Sequence, residues 1–224
     1  MADCSFGITG KDFVLLASDQ SAGRSIIKMK SDENKIRTLS PGLALAFGGE
    51  PGEFTSLGKR RLMGGTSNEL AKRGGESDMI KRDTNNFVDY VERNLRLYQI
   101  RNNTELLPAP ASAFIRKELA NSIRSRSPYA VNLLLGGYDK VHSEAHLYSI
   151  DLYGTKAILP YAAQGLGIYV ALSTMDKYWY PDITRDEAVE LLKKCVAEVK
   201  LRLAYQFTFN AIVIDKEGVK NLPL

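Results

Sequence analysis

Two short runs near the start of the chain, Phe13-Val14-Leu15-Leu16-Ala17 and Leu43-Ala44-Leu45-Ala46-Phe47, show no alternation of apolar and polar positions. A strand that is apolar on both faces must be covered on both faces. Both runs therefore predict strands in the middle of a layered structure. Around them lie short strands and tight turns. Ser5–Thr9 leads through Gly10-Lys11-Asp12 into Phe13–Asp19, the pattern of polar turn residues between two β-rich runs that marks a hairpin. A second pair is expected from Ile26–Met29 and Lys35–Leu39. Ser40-Pro41-Gly42 then turns the chain into Leu43–Gly49.

Helical spacing takes over further on. From about Thr84, the residues Phe87, Val91, Leu95 and Tyr98 fall on one face, and Asn102-Asn103 ends the run. After Leu107-Pro108-Ala109-Pro110, a second helix is expected from Ala111, with Ile115, Leu119 and Ile123 on one side, stopped by Pro128. Two helices joined by a short Pro-containing link should cover a sheet as a pair. Strands return at Ala130–Leu135, Ala145–Asp151 and Lys156–Leu159. A third helix is expected over Gly167–Lys177. A fourth starts at Thr184-Arg185-Asp186-Glu187, a capping box in which Thr184 and Glu187 satisfy each other's backbone donors. That helix carries Val189, Leu192, Val196, Val199 and Leu203 on one face, and a last strand, Asn210–Asp215, turns at Lys216-Glu217-Gly218. Doubly apolar strands with helices arriving in pairs predict an α+β fold, a four-layer α-β-β-α sandwich.

Composition narrows the function classes. A chain of 224 residues suits one domain, and a domain of this size buries roughly 70–75% of its unfolded surface without metal or disulfide. Cys4 and Cys195 read as reduced, buried thiols. The opening residues do not read as a secretory leader, and no apolar run approaches a membrane span. The net charge is +4. Seven bases and four acids between Gly58 and Asp83 account for +3 of it, which leaves a near-neutral body and argues against nucleic acid as a partner. That stretch, with Gly64-Gly65, Gly74-Gly75 and few apolar residues, is expected to be an exposed polar insertion at about 58–83 within a single domain over residues 1–224.

Candidate chemistry is sparse. His142 and His146 sit among turn residues and read as surface histidines rather than metal ligands. Gly165-Leu166-Gly167 lacks the rest of a phosphate-binding motif. No cofactor or metal is expected.

One constellation does stand out. Asp19 follows the second strand, Lys35 lies sixteen residues on, and Gly49 ends a later strand. This frame resembles the proteasome β subunits, which are N-terminal-nucleophile hydrolases. Further stretches carry the same resemblance, including Val14–Asp19, Leu97-Tyr98 with Arg101-Asn102, Arg124-Ser125-Arg126 with Pro128-Tyr129, and Val131–Leu135 with Gly137-Tyr138-Asp139. They are most similar to the non-catalytic members at the fourth β position. In active relatives a threonine heads the first strand; aligned on Asp19, Lys35 and Gly49, that position here is Asp3. Positions that carry a supporting serine, aspartate and serine in active relatives fall on Leu166, Arg202 and Tyr205.

The resemblance thus implies the N-terminal-nucleophile fold and a degenerate site of Asp3, Asp19, Lys35 and Gly49. The expected role is a non-catalytic structural subunit of the 20S core that helps form the β ring and proteolytic chamber. It further implies partners at the third and fifth β positions, in the opposite β ring and in the α ring, with regulatory particles reached through the assembled core, in cytoplasm and nucleus. Chemistry points the same way. An N-terminal nucleophile needs a hydroxyl or thiol with a free α-amine on the same residue, and Asp3 has no hydroxyl, while an amine on Met1 or Ala2 would lie out of reach. Cleavage at Gly65-Thr66 or Gly154-Thr155 would not place a threonine at the head of the first strand. The competing expectation is an active threonine-type hydrolase with another nucleophile.

Overall fold

The computed structural model describes residues 3–24, 27–48, 73–125, 128–203 and 207–223. Strand β2 (Val14–Asp19) shows why the chain forms layers, because every one of its residues is buried. Leu15 and Ala17 enter one core with Val170, Met175 and Leu192, whereas Val14 and Leu16 enter another with Ala44, Leu134 and Ile212. Strands β6 (Leu43–Phe47) and β7 (Leu133–Asp139) divide in the same way. Leu43, Leu45, Phe47, Leu133 and Leu135 join Phe87, Val91 and Ile115 in a third core, while Ala44, Ala46 and Leu134 face the middle. Successive side chains of a strand point to opposite faces. A run apolar at every position therefore feeds two cores at once.

Two five-stranded sheets result, and all their pairings are antiparallel. The first contains β1 (Cys4–Thr9), β2, β10 (Tyr161–Gly165), β11 (Phe209–Asp215) and β12 (Gly218–Leu222), in the order β10-β1-β2-β11-β12. The second contains β5 (Ile36–Ser40), β6, β7, β8 (Glu144–Ile150) and β9 (Lys156–Ile158), in sequence order. Helices α1 (Arg73–Asn102) and α2 (Pro108–Ser122) contribute Phe87, Val88, Val91, Ile115 and Leu119 to the core outside the second sheet. Helices α3 (Ile168–Tyr178) and α4 (Arg185–Arg202) close the core outside the first. The layers are α-β-β-α, as the strand pattern predicts.

Several local expectations give way. Residues Ile27–Lys30 form β4, but their partner is β3 (Ala22–Arg24), in a separate two-stranded sheet. The run at Ile36 pairs with β6 instead. The polar link Ser31–Asn34 separates the two apolar runs and carries the chain from the small ribbon to the second sheet. The first helix begins at Arg73 rather than near Thr84, so the later part of the 58–83 stretch is helical and its earlier part lies outside the described residues. Once packing anchors one part of a helix, each added residue costs little, and polar residues propagate it. The second helix begins at Pro108, because proline is well suited to the first helical position. Tyr98 is 52% exposed and Ile123 40%, since each lies past the end of the packed seam. Strands β10 and β12 went unanticipated: Tyr-Ala-Ala-Gln-Gly and Gly-Val-Lys-Asn-Leu are weak strand sequences stabilised by their neighbours β1 and β11.

Candidate functional site

Three chain segments converge at one end of the sandwich. Asp3 immediately precedes β1, Asp19 closes β2, and Lys35 leads into β5 of the other sheet. The link from β4 is held by Glu33 N–H donating to Gln20 O at 2.9 Å, and Phe47 N–H donates to Lys35 O at 3.0 Å. The Lys35 ammonium is thereby delivered between two carboxylates. Its Nζ donates to Asp3 Oδ1 at 2.6 Å, to Asp19 Oδ2 at 2.9 Å and Oδ1 at 3.0 Å, and to Ser21 O at 3.0 Å. Asp19 also accepts from Cys4 N–H at 3.0 Å and Ser21 N–H at 3.2 Å.

Burial sets the electrostatics. The Asp19 side chain is fully buried, Lys35 is 5% exposed and Asp3 13%. Burial raises the Asp19 carboxyl to about 6, with the charge of Asp3 adding to the rise and Lys35 and Cys4 N–H opposing it. Burial works against the Lys35 ammonium, but Asp3 and then Asp19 outweigh it and hold this lysine above its ordinary value. The ammonium is therefore a fixed charge that cross-links the two sheets, not a lysine poised to lose its proton near neutrality.

Asp3 is also fixed by its main chain. Leu166 N–H donates to Asp3 O at 3.0 Å. Gly165 sits at φ +70°, and a Cβ there would lie 1.9 Å from Asp3 O, so only glycine lets the β10 end approach this closely. Leu166 itself is 37% exposed and brings a main-chain donor to the site. A Cβ on Gly48 would stand 3.1 Å from Ser5 Oγ and 3.4 Å from Asp3 Cβ. Gly49 and Tyr205 lie outside the described residues. Arg202 is in the last turn of α4, paired with Glu198 at 2.9 Å.

Among the described residues, the hydroxyls and thiol near the cluster are buried, Ser21 among them at 2% exposed with its Oγ 3.4 Å from Thr208 Oγ1. Ser5 Oγ is 2.9 Å from Ser18 Oγ, and both serines are 1% exposed. The Cys4 thiol is fully buried and pushed up to about 12 by burial, with Asp19 adding to the effect, so it stays protonated. Cys195 is likewise buried and raised to about 12 by burial. His142 Nδ1 lies 2.9 Å from Asp139 Oδ2, and His146 pairs with Glu144 at 3.4 Å; the two imidazoles serve separate carboxylates. Among the described residues, no group of three metal-ligating side chains occurs, and no helix is long and apolar enough to cross a membrane.

Sequence reasoning placed Asp3, Asp19 and Lys35, and the structure brings those three side chains together. It missed Ser21 and Cys4 as main-chain partners of the cluster. A main-chain donor carries no side-chain signature, so no sequence signal marks them.

Two helix-covered antiparallel sheets, with a lysine–aspartate cluster at the head of the first strand, define the N-terminal-nucleophile hydrolase class of fold. The family model described as Proteasome subunit matches residues 1–63 and 80–214, and the chain belongs to that family. It is 37% identical over 221 residues to Proteasome subunit beta type-4 of Saccharomyces cerevisiae, covering 98% of this chain and 96% of that protein. It is 36% identical to Probable proteasome subunit beta type-4 of Schizosaccharomyces pombe, with 96% of both chains covered. It is also 36% identical to Proteasome subunit beta type-2 of Oryza sativa subsp. japonica, over 97% of this chain and 88% of the relative.

Proposed function

We propose that this chain is a non-catalytic structural β subunit of the 20S proteasome core, acting in ubiquitin-dependent protein degradation. The observation that carries the reading is the Asp3 carboxylate. It stands where active relatives place an attacking hydroxyl, and it is already bound to Lys35 at 2.6 Å. Asp3 carries no hydroxyl, so no acyl intermediate forms there on an alcohol oxygen. Asp19, Lys35 and Gly49 are then remnants of the catalytic frame, and Asp19 and Lys35 fasten the strands.

In this reading the chain occupies the fourth β position. Neighbours at the third and fifth positions flank it, and the opposite β ring and the α ring lie on either side. Its compartments are cytoplasm and nucleus. The chain acts as one domain over residues 1–224, with an insertion at about 58–83 whose later part opens α1. In support, the family match breaks between residues 63 and 80.

The test is to purify the native particle, treat it with a threonine-directed covalent inhibitor and identify each chain by mass. The expected result is that this chain co-purifies with other β-type and α-type subunits and carries no adduct. A stoichiometric adduct on any of its side chains would overturn the non-catalytic reading.

A further inference from the structure

A second polar feature lies beside the Lys35 cluster, between the two sheets. Gln164 on β10, Ser5 on β1 and Ser18 on β2 stand opposite one another in register, and Asn210 on β11 extends the row. Alternation along the strands fixes the face they share. Cys4, Phe6, Ala17 and Ala211 enter the core closed by α3 and α4, whereas Leu16, Ala162 and Ile212 enter the middle core. The polar row therefore points toward the second sheet. The next row inward, Ala162, Gly7, Leu16 and Ile212, is apolar. Ser5 and Ser18 are buried and Gln164 is 6% exposed, so bulk solvent does not serve their polar atoms.

The hydrogen bonds in this row do not close. Gln164 Nε2 donates to Leu133 O of β7 at 2.9 Å, which ties the first sheet to the second. That bond also fixes the amide, since the opposite orientation would set the side-chain oxygen against a carbonyl. Gln164 Oε1 is then buried with no protein partner among the described residues. The serines have the complementary deficit. Their Oγ atoms are 2.9 Å apart, so one hydroxyl hydrogen lies between them. The other hydroxyl hydrogen has no acceptor among the described residues. One buried acceptor thus lacks a donor, and on the adjoining strands one buried donor lacks an acceptor. Buried polar groups in native interiors are paired, by protein or by ordered water.

We infer that this row binds one internal water molecule, which accepts from the serine pair and donates to Gln164 Oε1. The two deficits select the ligand. A metal cation has no hydrogen for Gln164 Oε1, and an anion such as chloride has none either. Water carries both a lone pair and hydrogens, and it is small enough for a closed layer. Gly48 borders Ser5 Oγ and brings no side chain into that layer. With the water in place, Leu133 O, Gln164 and the two serines form one continuous chain of hydrogen bonds from β7 to β2. That chain fastens the sheets a second time, independently of the Lys35 ammonium, and holds β1 two residues after Asp3.

The experiment is a density map of the full chain in its native assembly, at a resolution that shows ordered water. The expected result is a single peak about 2.8 Å from Gln164 Oε1 and from Ser5 Oγ or Ser18 Oγ. No peak at that place, a peak bonded to only one of the two groups, or a Gln164 Oε1 bonded directly to protein would overturn the inference. Gln164→Met keeps the length of the side chain and removes both of its polar atoms. In that variant the peak should be lost while Lys35 stays on Asp3 and Asp19, and a peak that persists would overturn the bridging role. Should Gln164→Met fail to fold, the map of the unsubstituted chain decides the question alone.

Discussion

Lys35 and Asp3 meet at 2.6 Å although one leads into a strand of the second sheet and the other precedes a strand of the first. With Asp19 added, one ammonium fastens both sheets at the end where their strands begin and finish. Replacing Lys35 by methionine should therefore cost far more than its volume implies. It leaves two carboxylates, one of them fully buried, without their cation. A loss of about 3–5 kcal/mol is expected in urea unfolding. A change below 1 kcal/mol would show that the cluster is not the clamp described.

Asp3→Ala should cost less, about 1.5–3 kcal/mol, the range of a hydrogen bond to a charged group. Lys35 then keeps Asp19 as its partner. The order Lys35→Met worse than Asp3→Ala is the discriminating outcome, read from the two unfolding midpoints.

The same lysine predicts an alkaline limit. Its value in the folded chain is raised above the ordinary 10.5. The folded state thus holds that proton more tightly than the unfolded state. The stability it contributes is present in full below about pH 10.5 and is lost as the pH climbs through the raised folded value. Tyrosines titrate in the same range, so the measurement is the difference between wild type and Lys35→Met from pH 9 to 12. That difference should shrink as the pH rises.

Gly165→Ala should disturb the head of the chain from a distance in sequence. At φ +70° an L side chain is strained, and the new methyl would overlap Asp3 O. A cost of about 1–3 kcal/mol is expected, with faster hydrogen exchange at Leu166 N–H, whose acceptor is that carbonyl. Unchanged exchange at Leu166 would mean that the close approach is not what holds Asp3.

Thr184→Ala removes the side chain that accepts from Glu187 N–H at the start of α4. The expected loss is about 1 kcal/mol. Calorimetry of the two proteins measures it, and a stabilised variant would contradict the capping role.

Much of this was legible in the sequence where burial leaves a pattern. Val14–Ala17 and Leu43–Phe47 announced strands between two layers because both faces are apolar, and the Thr184–Glu187 box announced its helix. Asp19 and Lys35 were legible through a family frame, not through pattern alone. What stayed hidden depends on long-range partners. Tyr161–Gly165 becomes a strand because β1 offers it an edge, and Ala22–Arg24 because Ile27–Lys30 folds back on it. Neither segment carries the alternation or the β-branched content that would have marked it in advance.

The pairing of Cys4 with Gly165 governs how such a chain comes off the ribosome. Its first strand can zip against the second early, yet its outer flank stays bare until most of the polypeptide has been synthesised. The leading segment is thus settled among the last, and an unfinished molecule keeps an open ladder of amide groups on view to any passing strand. In the completed sheet that flank is covered by β10, which becomes the edge in its place.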